Sequence, residues 1–209
     1  MWTPLHQSFF HPSAQTVAPL LLGHYLLRNT TDGIAGGPIV ETEAYLSNDP
    51  ACHSYGGETV RNRVMWGAPG RAYVYLIYGY HFCVNAVCRP PGIAEAVLIR
   101  AIEPTFGGEW MVKNRPVKDI HQLCSGPAKL CEALVIDRKL DGADLCLADS
   151  SIVVARNPER DQFCERRGSV VTTTRIGLTK AAELHLRFYL AGSPHVSRRA
   201  KRSAASSLS

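Results

Sequence analysis

Short, mostly apolar runs separated by turn residues recur along the chain, and such runs are typical of β-strands. The connections Tyr78-Gly79-Tyr80 and Pro90-Pro91-Gly92 between them are short, so neighbouring strands are predicted to be antiparallel. The predicted strands cover residues 24–28, 33–46, 71–78, 81–88, 94–102, 151–155 and 184–190.

Two stretches carry helix signals. Ser13 is a candidate N-cap for a short helix that continues to residues 20–22 and ends at Gly23. A second helix is predicted to begin around Pro127, with Leu130, Leu134 and Val135 on one face. Strands and helices without a strict βα alternation predict an α+β domain.

The charge of the chain is concentrated in its last residues. The formal net charge is +5, and it falls to +1 without Arg198, Arg199, Lys201 and Arg202. We therefore expect one domain over 1–197, followed by a basic, Ser- and Ala-rich tail over 198–209 that is disordered. Bulk charge does not argue for nucleic acid, although a basic tail can hold DNA non-specifically.

The apolar runs and the cysteines of the chain indicate which cellular compartment to expect. No run of eighteen or more apolar residues is present, and the first residues lack the order of a secretory signal. We expect no membrane partner and a cytoplasmic location, or a nuclear one in a eukaryote. None of the seven cysteines forms a C-x-x-C pair, so structural zinc is not expected, and reduced thiols packed as small hydrophobes are.

The run 39–45 places unusual chemistry on one strand. Side chains alternate along a strand, so Glu41, Glu43 and Tyr45 share one face, and Val40 and Ala44 face the other way. Two carboxylates beside an aromatic ring suit a site better than plain packing. The alternative for the acidic pair alone is a solvated polar face.

Aromatic and basic residues follow this strand closely. Tyrosine this dense is poor at building a dry core, because each hydroxyl needs a partner, but it suits a pocket that stacks planar bases. Arg61 and Arg63 carry donors that match phosphate. The pattern predicts a purine site with a grip on a nucleic-acid backbone, built from Glu41, Glu43, Tyr45, His53, Arg61, Arg63, Tyr73, Tyr75, Tyr78, Tyr80, Asn85 and Arg100.

Ordered motifs along nearly the whole chain, from about residue 20 to about residue 196, resemble the alkyladenine (3-methyladenine) DNA glycosylase family of the animal and bacterial type. These motifs are Val40-Glu-Thr-Glu-Ala-Tyr45, His53-Ser54, Arg61-Asn-Arg63, Tyr73-Val-Tyr75-Leu-Ile-Tyr78-Gly79, Cys83-Val-Asn85, Leu98-Ile-Arg-Ala-Ile-Glu-Pro104, Leu123-Cys-Ser-Gly-Pro-Ala-Lys-Leu130 and Arg187-Phe-Tyr-Leu-Ala-Gly-Ser-Pro194.

The resemblance implies a single α+β domain with a curved antiparallel sheet flanked by helices. It implies a base-excision-repair enzyme that flips alkylated or deaminated purines out of duplex DNA and hydrolyses the N-glycosidic bond, leaving an abasic site. It implies no metal and no other cofactor. The expected partner is double-stranded DNA that contains a damaged purine, and the expected state is a monomer.

The resemblance also implies roles for individual residues. Glu43 resembles the general base, and Arg100 the arginine beside the catalytic water. The expected substrate-binding residues are Tyr45 and His53, which sandwich the flipped base, Tyr75 as the second aromatic wall, and Asn85 as a gatekeeper beside the purine 2-position. The expected DNA-binding residues are Tyr78, as the wedge that enters the duplex, with Arg61 and Arg63.

The positive groups between residues 39 and 100 are all arginines, which stay protonated and cannot form a Schiff base. We therefore predict a monofunctional enzyme without lyase activity, and interpret Lys129 as a helix-surface lysine or a phosphate contact. Two other functions remain open. One is hydrolysis of a free nucleoside, which would need neither Tyr78 nor Arg61. The other is non-catalytic nucleic-acid binding, a use made of the same fold in a domain of a tRNA-modifying enzyme.

Overall fold

Eight strands form one curled antiparallel sheet in the computed structural model, which describes residues 2–200. The hydrogen-bonded order is β3-β4-β5-β2-β1-β6, and β8 pairs with both β2 and β7. The strands are β1 (Tyr25–Thr30), β2 (Gly33–Tyr45), β3 (Ala72–Ile77), β4 (His81–Cys88), β5 (Glu95–Ile102), β6 (Ile152–Ala155), β7 (Val170–Thr173) and β8 (Arg187–Leu190).

The long strand β2 organises the sheet. Its first half pairs with β1, and its second half lies between β5 and β8. The register against β5 shifts on both sides of Glu41, which is the mark of a β-bulge. A bulge bends its strand and increases the local twist. The curl of the sheet therefore develops at the position that carries the two glutamates.

Helices cover one face of the sheet. They are α1 (Ala14–Leu21), α2 (Gly108–Asn114), α3 (Pro127–Ala133) and α4 (Arg160–Arg167). Ser13 accepts a hydrogen bond from the amide of Thr16, so the predicted N-cap is confirmed. Helix α3 begins with Pro127 in its first turn, as predicted. The main core lies between these helices and the face of β2 that carries Val40 and Ala44.

The α+β prediction and the antiparallel pairing are confirmed, whereas several predicted boundaries differ from the structure. The predicted strand 184–190 begins only at Arg187, and the predicted strand 71–78 ends at Ile77. The placement of Val135 on the buried face of a helix is wrong. Helix α3 ends at Ala133, and Val135 is exposed with a φ of 50°, because the chain turns there.

All seven cysteines are free thiols, and five of them are buried, as predicted. Desolvation by burial raises the pKa of Cys124 to about 12, so this thiol stays protonated and packs as an apolar group. None of the helices within residues 2–200 is long and apolar enough to span a membrane.

Three residues of the predicted tail contact the domain. The carbonyl of Arg198 accepts from Arg187, and the amide of Ala200 donates to the hydroxyl of Tyr189. Arg199 donates to backbone carbonyls of residues 191 and 193. Residues 201–209 lie outside the described residues, so the domain boundary and the disorder of the tail stay predictions.

Candidate active site

A cross-strand row of side chains forms the floor of the site. Tyr73 pairs with Asn85, Asn85 with Leu98, and Leu98 with Glu43, across β3, β4, β5 and β2. Directly opposed residues in an antiparallel sheet lie on the same face. Sheet register therefore brings residues 43, 73, 85 and 98 together, although they are far apart in the chain.

A cavity of about 290 Å³ opens above this row, at the lower end of the range of roughly 300–1,000 Å³ common for ligand pockets. Aromatic side chains and two loops enclose it. It is lined by Tyr45, Ala51, Cys52, His53, Met65, Tyr73, Tyr75, Ile77, Tyr78, Cys83, Asn85, Ala96, Leu98, Arg100, Pro127, Ile176, Gly177 and Leu178. Six of the nine predicted site residues line this cavity: Tyr45, His53, Tyr75, Tyr78, Asn85 and Arg100.

Glu43 lies directly behind the cavity wall, and its side chain has no exposed surface. One carboxylate oxygen, Oε2, accepts from the hydroxyl of Tyr45 at 2.9 Å and pairs with Nη1 of Arg100 at 3.1 Å. The other, Oε1, accepts from the amide of Ile176 at 2.8 Å. All three partners line the cavity. A carboxylate has about four lone-pair positions, and these three contacts use two on Oε2 and one on Oε1.

Glu41 is equally buried, and it hydrogen-bonds Arg100 through a different nitrogen from the one that pairs with Glu43. Its carboxylate accepts from Nε of Arg100 at 2.9 Å and from Nε of Arg187 at 2.7 Å. The amide and the hydroxyl of Ser197 also donate to it, at 2.7 and 2.8 Å. The solvated polar face that was the alternative for the acidic pair is therefore wrong, because each carboxylate is buried against cations.

Arg100 bridges the two carboxylates. Burial alone would lower the pKa of this guanidinium, but Glu43 and Glu41 outweigh that effect and raise it. Nε is bonded to Glu41, so the side chain cannot rotate freely, and Nη1 is presented to Glu43. The arrangement fixes a permanent positive charge at the cavity wall.

Aromatic rings form the walls of the cavity. Hydrogen bonds orient the hydroxyl groups of two of them, Tyr73 and Tyr45. Tyr73 bonds to Nδ1 of His53 at 2.9 Å, and Tyr45 to Glu43. Burial, followed by the positive charge of Arg61, lowers the pKa of His53, so its ring is neutral at pH 7. A neutral ring does not repel a positively charged base.

His53 and Tyr75 touch edge to face, with ring centroids 4.4 Å apart. Stacking of a base between these two rings therefore requires one of them to rotate. Burial is the main cause that raises the pKa of Tyr75, with smaller contributions from Cys83 and the carboxylate of Glu43, so its phenol stays protonated. Asn85 lies on the cavity floor, 4% exposed, and its Nδ2 donates to the carbonyl of Tyr73 at 3.0 Å.

Tyr78 projects from the turn between β3 and β4, beside the mouth of the cavity. It is 76% exposed and has a φ of 54°, a rare conformation for a bulky residue that costs roughly 1–2 kcal/mol. Gly79 follows with a φ of 81°, where glycine is unstrained. Tyr80, on the other side of Gly79, is also exposed. The turn therefore holds two tyrosines out into solvent.

The predicted phosphate-binding arginines lie on the loop beside this turn. Arg61 donates to the carbonyl of Leu76 at 3.0 Å and lies 5.7 Å from the ring centroid of Tyr75. Arg63 is exposed and pairs with Glu58 at 3.3 Å. Lys129 donates to Gln122 at 2.7 Å on the surface of α3, which agrees with its interpretation as a surface lysine.

Sequence reasoning missed several residues that hold the site together. Ile176 supplies the amide that binds Glu43, and Arg187 and Ser197 satisfy Glu41. A buried ion pair between Asp49 and Arg175 lies behind Tyr45. Ile176 belongs to a polar stretch without periodicity. Arg187 lies in a predicted strand, but its role as a partner of Glu41 depends on a contact between residues 146 positions apart. Among residues 2–200, no cluster of three or more His, Cys, Asp or Glu side chains is arranged to hold a metal ion.

Comparison with protein families identifies one match over most of the chain. The model of the methylpurine-DNA glycosylase family matches residues 8–194. This span contains every residue that lines the cavity, from Tyr45 to Leu178.

Individual relatives agree with this family match. A protein of Rhodopseudomonas palustris is 50% identical over 194 residues, which cover 93% of this chain and 90% of the relative. A protein of Methanoculleus marisnigri is 48% identical, covering 93% and 99%. A protein of Francisella tularensis is 46% identical, covering 87% and 92%. Each of the three is provisionally named a 3-methyladenine DNA glycosylase.

Proposed function

The chain belongs to the methylpurine-DNA glycosylase family, and from this premise we propose that it removes damaged purines from duplex DNA by base flipping and hydrolysis. The observation that carries the proposal is the position of Glu43. Its carboxylate is held by three groups that themselves line an aromatic cavity of base-sized dimensions. A base inside a duplex is out of reach of such a cavity, so it must be extruded.

In the proposed reaction, a water molecule beside Oε1 of Glu43 attacks the sugar carbon of the glycosidic bond. The oxygen–carbon bond forms as the carbon–nitrogen bond breaks, the bonding electron pair leaves with the purine, and the proton of the water passes to Glu43. Arg100 orients the carboxylate and balances its charge. An alkylated purine already carries positive charge, so it leaves readily and is attracted to the electron-rich rings of Tyr45 and Tyr75.

Asn85 is proposed to select among purines. Its Nδ2 is fixed to the carbonyl of Tyr73, so the side chain cannot easily move aside. A purine with a 2-amino group would clash with an obstacle fixed at that point, which rejects normal guanine. We further propose that the enzyme acts as a monomer on alkylated and deaminated purines alike.

The proposal also includes the absence of strand cleavage. A lyase needs an amine as nucleophile, and every cationic side chain that lines the cavity or borders it on the Arg61 loop is an arginine. Lys129, on α3, is held by Gln122. Water is therefore the proposed nucleophile, and the product is an intact strand with an abasic site.

A panel of duplexes, each with one damaged purine, tests this function. We expect release of the free base, with strand breaks only after alkali. Parallel reactions with borohydride are expected to trap no protein–DNA adduct. A Lys129-dependent adduct would overturn water as the nucleophile. Binding without base release would favour the non-catalytic module, and release from free nucleosides alone would favour the nucleoside hydrolase.

Replacement of Tyr78 by Ser is expected to impair extrusion more than chemistry. Stacking of an aromatic ring against bases contributes ~1–3 kcal/mol, so affinity for a lesion in a duplex should fall by roughly tenfold. A lesion in an unpaired bulge needs less unstacking and should lose less affinity. Dissociation constants for both contexts provide the measurement, with Tyr80→Ser as the matched exposed tyrosine. Equal losses in both contexts would assign Tyr78 to the wall of the pocket.

A further inference from the structure

The ring of Tyr45 carries a cation on the side away from the cavity. The guanidinium carbon of Arg175 lies 4.7 Å from the ring centroid, over the ring. The side chain of Arg175 has no exposed surface and does not line the cavity, whereas Tyr45 does. The covered face is therefore the rear one, and a base that stacks on Tyr45 lies on the opposite side of the ring from Arg175.

Asp49 balances this cation. Both terminal nitrogens of Arg175 donate to its carboxylate, Nη1 to Oδ2 and Nη2 to Oδ1. Asp49 is 2% exposed, and its Oδ1 also accepts from the amide of Ala51 at 2.9 Å. Arg175 donates further to the carbonyl of Ala44 at 3.0 Å. The pair is thus fixed in position and orientation, with its positive end against Tyr45.

A cation on one face of a ring changes what the other face attracts. The ring's electron density is drawn towards the first cation, so a second cation opposite is held less strongly, while a neutral, polarisable base is not penalised. A carboxylate just beyond the first cation offsets part of this effect. The balance of the two charges therefore acts on a stacked base according to its own charge.

We propose that Asp49 and Arg175 are specificity-determining positioning residues, which set the preference of the pocket between positively charged and neutral damaged purines. The proposal rests on the proposed function, because it requires Tyr45 to stack a damaged base. Neither residue needs to touch the substrate. Their effect is transmitted through the ring between them.

The measured quantity is the ratio of excision rate constants for 3-methyladenine, which is positively charged in DNA, and hypoxanthine, which is neutral; neither base carries a 2-amino group that Asn85 would reject. Asp49→Asn leaves the cation unbalanced, so the ratio should fall by roughly three- to tenfold. Arg175→Gln leaves the anion unbalanced, so the ratio should rise by a similar factor. Arg175→Lys keeps the cation and should keep the ratio close to that of the parent enzyme.

Shifts of the ratio in opposite directions in Asp49→Asn and Arg175→Gln distinguish this role from a structural one. Loss of packing would lower both rates and leave the ratio unchanged, or move it in the same direction in both variants. An altered charge environment at Glu43 would act on the shared chemical step and cancel in the ratio. Unchanged ratios, or shifts of the same sign, would overturn the proposal.

Two further variants keep the test decisive if a single variant does not fold. The double variant Asp49→Asn, Arg175→Gln removes both charges, and because the cation is nearer to the ring, its ratio should rise about twofold. The matched control is Glu103→Gln with Arg167→Gln, an ion pair away from the cavity, which should leave the ratio unchanged. Where cleavage is too slow to measure, the ratio is taken between two dissociation constants instead. One is for a duplex with the positively charged base, and the other is for a duplex with the neutral base 1,N6-ethenoadenine.

Failure of this proposal can be told apart from failure of the proposed function. If the parent enzyme neither excises nor selectively binds any damaged purine, the function itself is wrong. If it acts on damaged purines and the variants leave the ratio fixed, only the inference about the charge pair is wrong.

Discussion

Replacing Glu43 by Gln is expected to lower the single-turnover rate of base excision by about 10²-fold or more, because general base catalysis is typically worth 10²–10⁴. The amide keeps the size of the side chain but cannot accept the proton of the attacking water. Binding to lesion-containing DNA should survive, since the aromatic walls and the Tyr78 turn are unchanged. Rate constants under enzyme excess and dissociation constants for the same duplex separate the two effects.

The matched control is Glu95→Gln. Glu95 is also a buried glutamate, but its carboxylate accepts from the amide of Ala14 at the start of α1 and lies outside the cavity. We expect Glu95→Gln to cost some stability and to leave the excision rate of the folded enzyme near normal. A near-normal rate for Glu43→Gln would contradict its role as general base and would make Glu41 the next carboxylate to test.

Replacing Glu41 by Gln is expected to destabilise the fold by about 3–5 kcal/mol, the usual cost of breaking a buried ion pair from one side. Four hydrogen bonds from Arg100, Arg187 and Ser197 converge on this carboxylate. An amide accepts through one oxygen only, and its NH₂ group would face donors. The two arginines would then remain buried with too little negative charge.

Chemical denaturation of Glu41→Gln and Glu43→Gln side by side measures this difference. Glu43→Gln should lose less stability, because Arg100 keeps its bond to Glu41 in that variant. Excision by folded Glu41→Gln should also be slower, because Arg100 loses the charged hydrogen bond between its Nε and Glu41 that fixes its orientation. A loss below about 1 kcal/mol for Glu41→Gln would contradict the role of Glu41 in balancing the two arginines.

Local sequence patterns were sufficient where local physics decides the structure. The limits of β4 follow from a mostly apolar run between two turns, and α1 follows from its Ser13 cap. Helix α4 was missed because it buries little besides Phe163, so it shows no apolar periodicity. Strand β7 was missed because it is short and half exposed, and its pairing with β8 defines it.

The candidate site divides in the same way. The residues of β2 to β5 were found because carboxylates and tyrosines stand out on strand faces and match a family pattern. Arg175 could not be assigned, because Asp49, its partner, lies 126 residues away and the pairing exists only once two loops meet over Tyr45. Ser197 likewise could not be assigned, because its partner Glu41 lies 156 residues earlier in the chain and only the fold brings the two together.

These separations have a consequence for synthesis of the chain. Ser197 bonds to Arg100 as well, and the two residues are 97 positions apart. At ~5–20 residues per second, the ribosome needs roughly 5–20 s to make that interval. During this time Glu41 lacks Ser197 and, until β8 is made, Arg187. A nascent chain therefore carries the strands β2 to β5 of the cavity well before residues 176–178 complete its lining, and the carboxylate of Glu41 is balanced only after residues 187 and 197 have been made.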